Sequence, residues 1–354
     1  MSSHTPATHK VEIRRLDGTS HSADKGYLEM KDPSVIRMED GSYQMYCSLG
    51  TSTTQQWVVG RFAAEHPGGP WQELPHAQIE KVDGAEVCAP AVVLTQKDGK
   101  PLFEMYVQTT CFSPDGVIAY ATSEDGQHFT GADKPAMTCK ELTAEDQKTI
   151  ISLYDVGMSE FALNGKTVEC MVFSGYRQIG CGDVFMSLRE KTADGASPQD
   201  WSQPLLILKQ EDVPFHNKPG SDNFEWGLEG VKIDKLADDA YLMTGVCFLD
   251  EPNEARGTRQ RVFFAAAASP SGPYIPMRTP LEPTAYPEGK GENGHPDTVD
   301  LGDAVGLLYQ ERAGEGKPWH LRYTEMKKAD LLAEVRAALQ PSVSPAARQK
   351  PPSP

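Results

Sequence analysis

Asp32, Glu86, Asp155, Glu229 and His295 stand at the heads of successive copies of one short phrase, and residues of these types are suited to moving protons. The phrase is an opening residue, a strand, a D-G or N-G turn, and an aromatic-rich strand. It reads Asp32-Pro33-Ser34-Val35-Ile36, Asp40-Gly41, Tyr43-Gln44-Met45-Tyr46, and again Ala89-Pro90-Ala91-Val92-Val93, Asp98-Gly99, Phe103-Glu104-Met105-Tyr106. Later copies open at Asp155, at Glu229-Gly230-Val231 and at His295-Pro296-Asp297. Carboxylates gathered in one enclosed place shift each other's proton affinity, so that one can hold a proton while another stays ionised. That is the requirement of acid and base catalysis.

Such residues work together only if the fold brings the heads of the copies to one place. Openings at positions 32, 86, 155, 229 and 295 lie 54 to 74 residues apart, too long for a solenoid rung and suited to a four-stranded propeller blade with its loops. A second, phase-shifted signal of similar period places an aromatic after a turn late in four of the units, at Trp71, Phe129, Trp201 and Tyr274. The expected fold is all-β, a five-bladed β-propeller with a short C-terminal helix. In a propeller the innermost strand of each blade begins near one mouth of the central channel, so the five heads converge there. The expected organisation is a flexible N-terminus over residues 1–10, the propeller over 11–326, a helix over 327–340 and a disordered Pro-rich tail over 341–354. Leu331, Val335 and Leu339 at four-residue spacing mark the helix, which packs on the propeller or forms a dimer contact.

Composition removes several classes of function. With 34 Lys and Arg against 50 Asp and Glu, the formal charge of −16 repels phosphate backbones and anionic lipid. No apolar run approaches the roughly 18 residues of a membrane helix, and no signal-peptide pattern opens the chain. A cytoplasmic protein, monomeric or homodimeric, with neither nucleic-acid nor membrane partners is expected. The seven cysteines lack CxxC spacing and sit in apolar, strand-like contexts, which reads as reduced core thiols. Neither a phosphate-cradling glycine loop nor a G-x-S-x-G elbow occurs.

The Asp-Pro opening of blade one, Ala-Pro in blade two, the Asp of blade three, Glu-Gly in blade four and Gly-His in blade five resemble glycoside hydrolase family 43 and its five-bladed relatives of the family 62, 117 and 130 type. The resemblance spans residues 27–312. It implies an inverting glycosidase acting on a small glycoside or oligosaccharide, with Asp32 as general base, Glu229 as general acid and Asp155 orienting and tuning the acid. Glu160 competes with Asp155 for that role. Inversion calls for an acid at the leaving oxygen and a base activating water, about 6.5–9.5 Å apart. His295 is implied to lie in the channel, where it contacts a structural calcium directly or through water; no cofactor is otherwise required. Glu86, Arg177, Trp226, His295 and Arg312 are candidate substrate contacts, with Glu225 and Asp297 near them. Two other readings stay open: a changed reaction on the same scaffold (phosphorylase, transglycosylase or biosynthetic enzyme), and a non-catalytic sugar-binding propeller.

Overall fold

The computed structural model describes residues 8–15, 27–51, 57–82, 87–109, 115–178, 181–191, 201–216, 227–250, 258–277, 281, 291–314 and 316–340. Its strands form five antiparallel-cored sheets arranged as the blades of a propeller. The innermost strands are Tyr27–Arg37, Val87–Lys97, Ser152–Leu163, Glu229–Ala237 and Glu292–Asp300. Each pairs with the strand that follows it in sequence across a tight turn, such as Asp40-Gly41 in blade one and Asn164-Gly165 in blade three, where Gly41 and Gly165 supply the positive φ. The inner strands contact one another in cyclic order around the channel.

Alternation along the strands explains the closure. A strand inside a blade has two faces, and both must be apolar because each packs on a neighbouring blade. In Tyr43–Thr51, Met45, Cys47 and Leu49 pack with Val299, Leu308 and Leu321 of blade five, while Tyr46 packs with Phe103 and Phe129 of blade two. Equivalent layers lie between blades two and three, three and four, and four and five. Between blades two and three, Arg189 is buried with Glu104 and Glu169 and lies 4.5 Å over the Trp201 ring.

One departure from the sequence expectations appears, at the N-terminal end. Thr8–Lys10, expected to be flexible, forms the outer strand of blade five, pairing with His320–Lys327. The N-terminal strand thereby joins the last blade, tying the two ends of the chain into one sheet. The helix spans Lys328–Leu339 and buries Leu331 and Val335 against Ala240, Leu242, Ala266 and Val305 of blades four and five. The tail over 341–354 lies outside the described residues. Cys47, Cys88, Cys139, Cys170 and Cys247 are free thiols; burial pushes the thiols of Cys47, Cys139, Cys170 and Cys247 up. Among the described residues no helix is long and apolar enough to cross a membrane.

Candidate functional site

Every inner strand carries the same backbone irregularity near its start. The pairing register slips between Lys31 and Ser34, Cys88 and Ala91, Tyr154 and Gly157, Glu229 and Lys232, and Gly294 and Asp297. Inside each slip one residue adopts the left-handed conformation: Asp32 (φ 53°), Ala89 (49°), Asp155 (45°), Gly230 (52°) and His295 (42°). Four of these five are not glycine, and such strain persists only where surrounding contacts enforce it. Bulges of this kind re-aim side chains and free a backbone N–H from the ladder. The freed N–H is taken up by the preceding blade: Ala89 donates to Ser48 Oγ (2.9 Å), Asp155 to Gln108 Oε1 (2.7 Å) and Asp32 to Gln310 Oε1 (3.0 Å). Ser48, Gln108 and Gln310 occupy equivalent places on the second strands, opposite Lys31, Cys88 and Gly294.

The bulges bring four of the expected residues together. His295 Nδ1 lies 3.1 Å from Asp32 Oδ1 and 3.8 Å from Asp155 Oδ2, and its Nε2 lies 3.5 Å from Glu229 Oε2. The imidazole therefore stands between Asp32 and Glu229, one at each nitrogen. All four side chains are nearly buried, at 6 to 11% exposure. Glu229 also accepts a hydrogen bond from Tyr176 Oη (3.1 Å), whose ring stacks on Tyr154. Burial drives the Asp155 carboxyl up, partly opposed by His295 and reinforced by the charges of Glu229 and Asp32. For His295, burial opposes the charged ring, but Asp32, Asp155 and Glu229 outweigh it and raise its proton affinity.

The cluster separates two cavities. One, of about 270 Å³, opens at the mouth where the inner strands begin, and Asp32, Asp155, Glu229 and His295 line its floor. The other, of about 480 Å³, is the channel behind them. Arg312 lines the mouth, its guanidinium bonded to Glu292 Oε2 and packed 4.3 Å over Trp319. Arg177, expected at the pocket, instead pairs with Asp183 and Glu211 and lines neither cavity. It sits at the end of its strand beside Tyr176, but its guanidinium is taken up by Asp183 and Glu211. Glu160 points away from the site to Lys191, and Asp297 is turned into the channel, bonded to Lys232 Nζ and to the Val35 N–H. Glu86, Glu225 and Trp226 lie outside the described residues.

Sequence reasoning missed Lys31, Trp57, Gln108, Tyr176 and Trp319, all lining the mouth. A usable signal existed: first and third strands begin at this mouth and second strands end there, so Trp57 and Tyr176 were placed by strand polarity alone. As a metal site, Asp155, Glu229 and His295 offer ligand atoms within 4.8 Å of one another. One of these three donors is a nitrogen, whereas calcium takes about six to eight oxygens. The set does not fit a direct calcium cage.

No family model matches the chain, and no curated protein matches it. Solved structures do. An endo-arabinase from Bacteroides thetaiotaomicron superposes with a TM-score of 0.59 at 15% identity, covering 84% of this chain and 94% of that one. A family 62 hydrolase solved with xylotriose gives 0.59 at 15%, covering 91% and 99%. A thermostable family 43 glycoside hydrolase gives 0.57 at 17%, covering 84% and 89%. The chain is thus a five-bladed β-propeller of the architecture seen in family 43 and family 62 enzymes.

Proposed function

We propose that this protein is a glycoside hydrolase that cleaves a small glycoside or oligosaccharide with inversion. The observation that carries the reading is the convergence of Asp32, Asp155 and Glu229, from three different blades, on His295 at the floor of one mouth. Glu229 is assigned as the general acid protonating the leaving oxygen, fixed in direction by Tyr176. Asp32 is assigned as the general base that takes a proton from the attacking water. The imidazole between them holds the two carboxylates apart, which favours the wider spacing of inversion, about 6.5–9.5 Å, over the roughly 5–5.5 Å of retention. Asp155 and His295 form the charged surround that sets the protonation of the pair. The chemistry is carried by these side chains and water, with no step routed through a metal.

The test is a panel of aryl glycosides with the wild type, Glu229→Gln and Asp32→Asn. Each variant should lose roughly 10²- to 10⁴-fold in kcat, the range of a general acid or base, while melting near the wild-type temperature. Proton NMR of the first-formed sugar should show the inverted anomer. A Glu229→Gln variant as active as wild type would return the chain to the sugar-binding reading.

A further inference from the structure

The mouth is chemically lopsided. In blade one, Lys31 holds the place that Glu229 holds in blade four, the residue just before the left-handed position, and both side chains line the same cavity. Lys31 Nζ rests 4.0 Å over the Trp57 ring and forms no ion pair with any described residue, although Glu29 and Asp32 line the same mouth. Beside it, across the seam between blades five and one, lie Trp319 and Arg312. The seam is stitched by the Met30 N–H donating to the Trp319 carbonyl (3.1 Å) and by Asp32 donating to Gln310. Arg312 is neutralised by Glu292, whereas Lys31 is held on its aromatic ring by a cation–π contact and, among the described residues, meets the mouth's carboxylates through no direct ion pair. In a ring of five blades, blade one faces the seam between blades three and four, and that seam carries Tyr176 and Glu229.

We infer that the mouth takes a glycoside bearing an oxyanion group, with that group on Lys31 at the seam of blades five and one and the scissile oxygen toward Glu229. The inference rests on the glycosidase reading and names its substrate class. A protein with a formal charge of −16 gains nothing from a general attraction to anions; the recognition is local, from one ammonium with its aromatic support. A carboxylate on the sugar or a phosphate ester on it would satisfy the same ammonium.

Calorimetric binding of D-galactose, D-galacturonate and D-galactose 6-phosphate to the wild type, Lys31→Met and Lys31→Arg tests this without requiring turnover. At least one acidic sugar should bind more tightly than galactose, and its affinity should fall with added salt. Lys31→Met, which keeps packing on Trp57, should weaken that binding roughly 10- to 100-fold, the value of a lost charge-assisted hydrogen bond; Lys31→Arg should restore most of it. Preference for galacturonate assigns a carboxylate, and preference for the phosphate ester assigns a phosphate. Equal binding of galactose, or unchanged binding of the acidic sugars to Lys31→Met, overturns the inference, as does failure of both acidic sugars to bind. Acidic-sugar binding through Lys31 without cleavage of any glycoside would sink the hydrolase reading and leave this one standing. Cleavage of neutral glycosides with kcat/KM unchanged in Lys31→Met would do the reverse.

Discussion

His295 decides the electrical state of the site. Its ring is charged in the fold against the opposition of burial because three carboxylates surround it, and Asp155 is driven up by burial beside Glu229 and Asp32. Both groups hold their protons more tightly folded than unfolded. Stability falls with rising pH wherever the native state binds more protons than the unfolded chain. The histidine contribution is present in full below its ordinary value near 6.5 and is lost as pH rises through its raised folded value. The Asp155 penalty is likewise imposed as pH climbs from the ordinary carboxylate range through its raised value. Melting temperature followed from pH 5 to pH 9 should therefore decline. Asp155→Asn should flatten the lower part of that decline and His295→Gln the upper part. A wild-type profile that rises toward pH 9 would contradict the charge assignment.

At the scale of the element, the inner strand of each blade is a strand with a built-in defect. The bulge turns Asp32, Asp155 and His295 to the channel, and the neighbouring blade supplies the acceptor that makes the defect tolerable. Gln108 is thus a positioning residue for Asp155. Gln108→Leu leaves the Asp155 N–H without its acceptor and should destabilise the fold by about 1–3 kcal/mol, with a larger relative loss in kcat than in substrate binding. Gly157 has a different role. A Cβ there would lie 2.0 Å from the Val231 carbonyl of blade four, which is backbone and cannot rotate away. Gly157→Ala should lower stability by about 1–3 kcal/mol through forced separation of blades three and four. Urea unfolding of both variants checks the two values.

For the whole molecule, closure of the ring is the main structural requirement, since an open propeller would expose the apolar faces of blades one and five. Thr8–Lys10 contributes to that closure on the outer edge of blade five. Thr8 receives a hydrogen bond from Arg322 Nε (3.0 Å) and meets Tyr309 Oη (3.1 Å), in addition to its ladder pairing. Deleting residues 1–10 should lower the melting temperature by about 3 °C, equivalent to roughly 2 kcal/mol in a chain of this size. The inner strands, fixed by the other blades, should keep the site, so kcat at 25 °C should change less than twofold. Scanning calorimetry and a steady-state assay on the truncated protein read both.

The period of the phrase, its turn residues and its two-faced apolar alternation are local properties of the chain, so the five blades, the helix and the heads of the blades were legible from sequence. Asp32, Asp155, Glu229 and His295 were found the same way, because each opens a repeat. Residues at the far ends of other strands were not. Gln108 and Tyr176 reach the mouth because second strands end where first strands begin, and Trp57 and Trp319 because third strands start there; no recurring phrase marks those ends, and Lys31, beside Asp32 on the first strand, is a mouth residue only through the bulge. Arg177 misled for the same reason: a basic residue at a strand end reads as a pocket residue until Asp183 and Glu211, brought beside it by the next strand and the segment after it, neutralise it. The sequence by itself determined which residues head the blades, since periodicity is written along the chain. Tertiary structure alone decided that an imidazole stands between Asp32 and Glu229 and that the Lys31 ammonium faces them, because those relations depend on ring closure and on the bulge that turns each head inward.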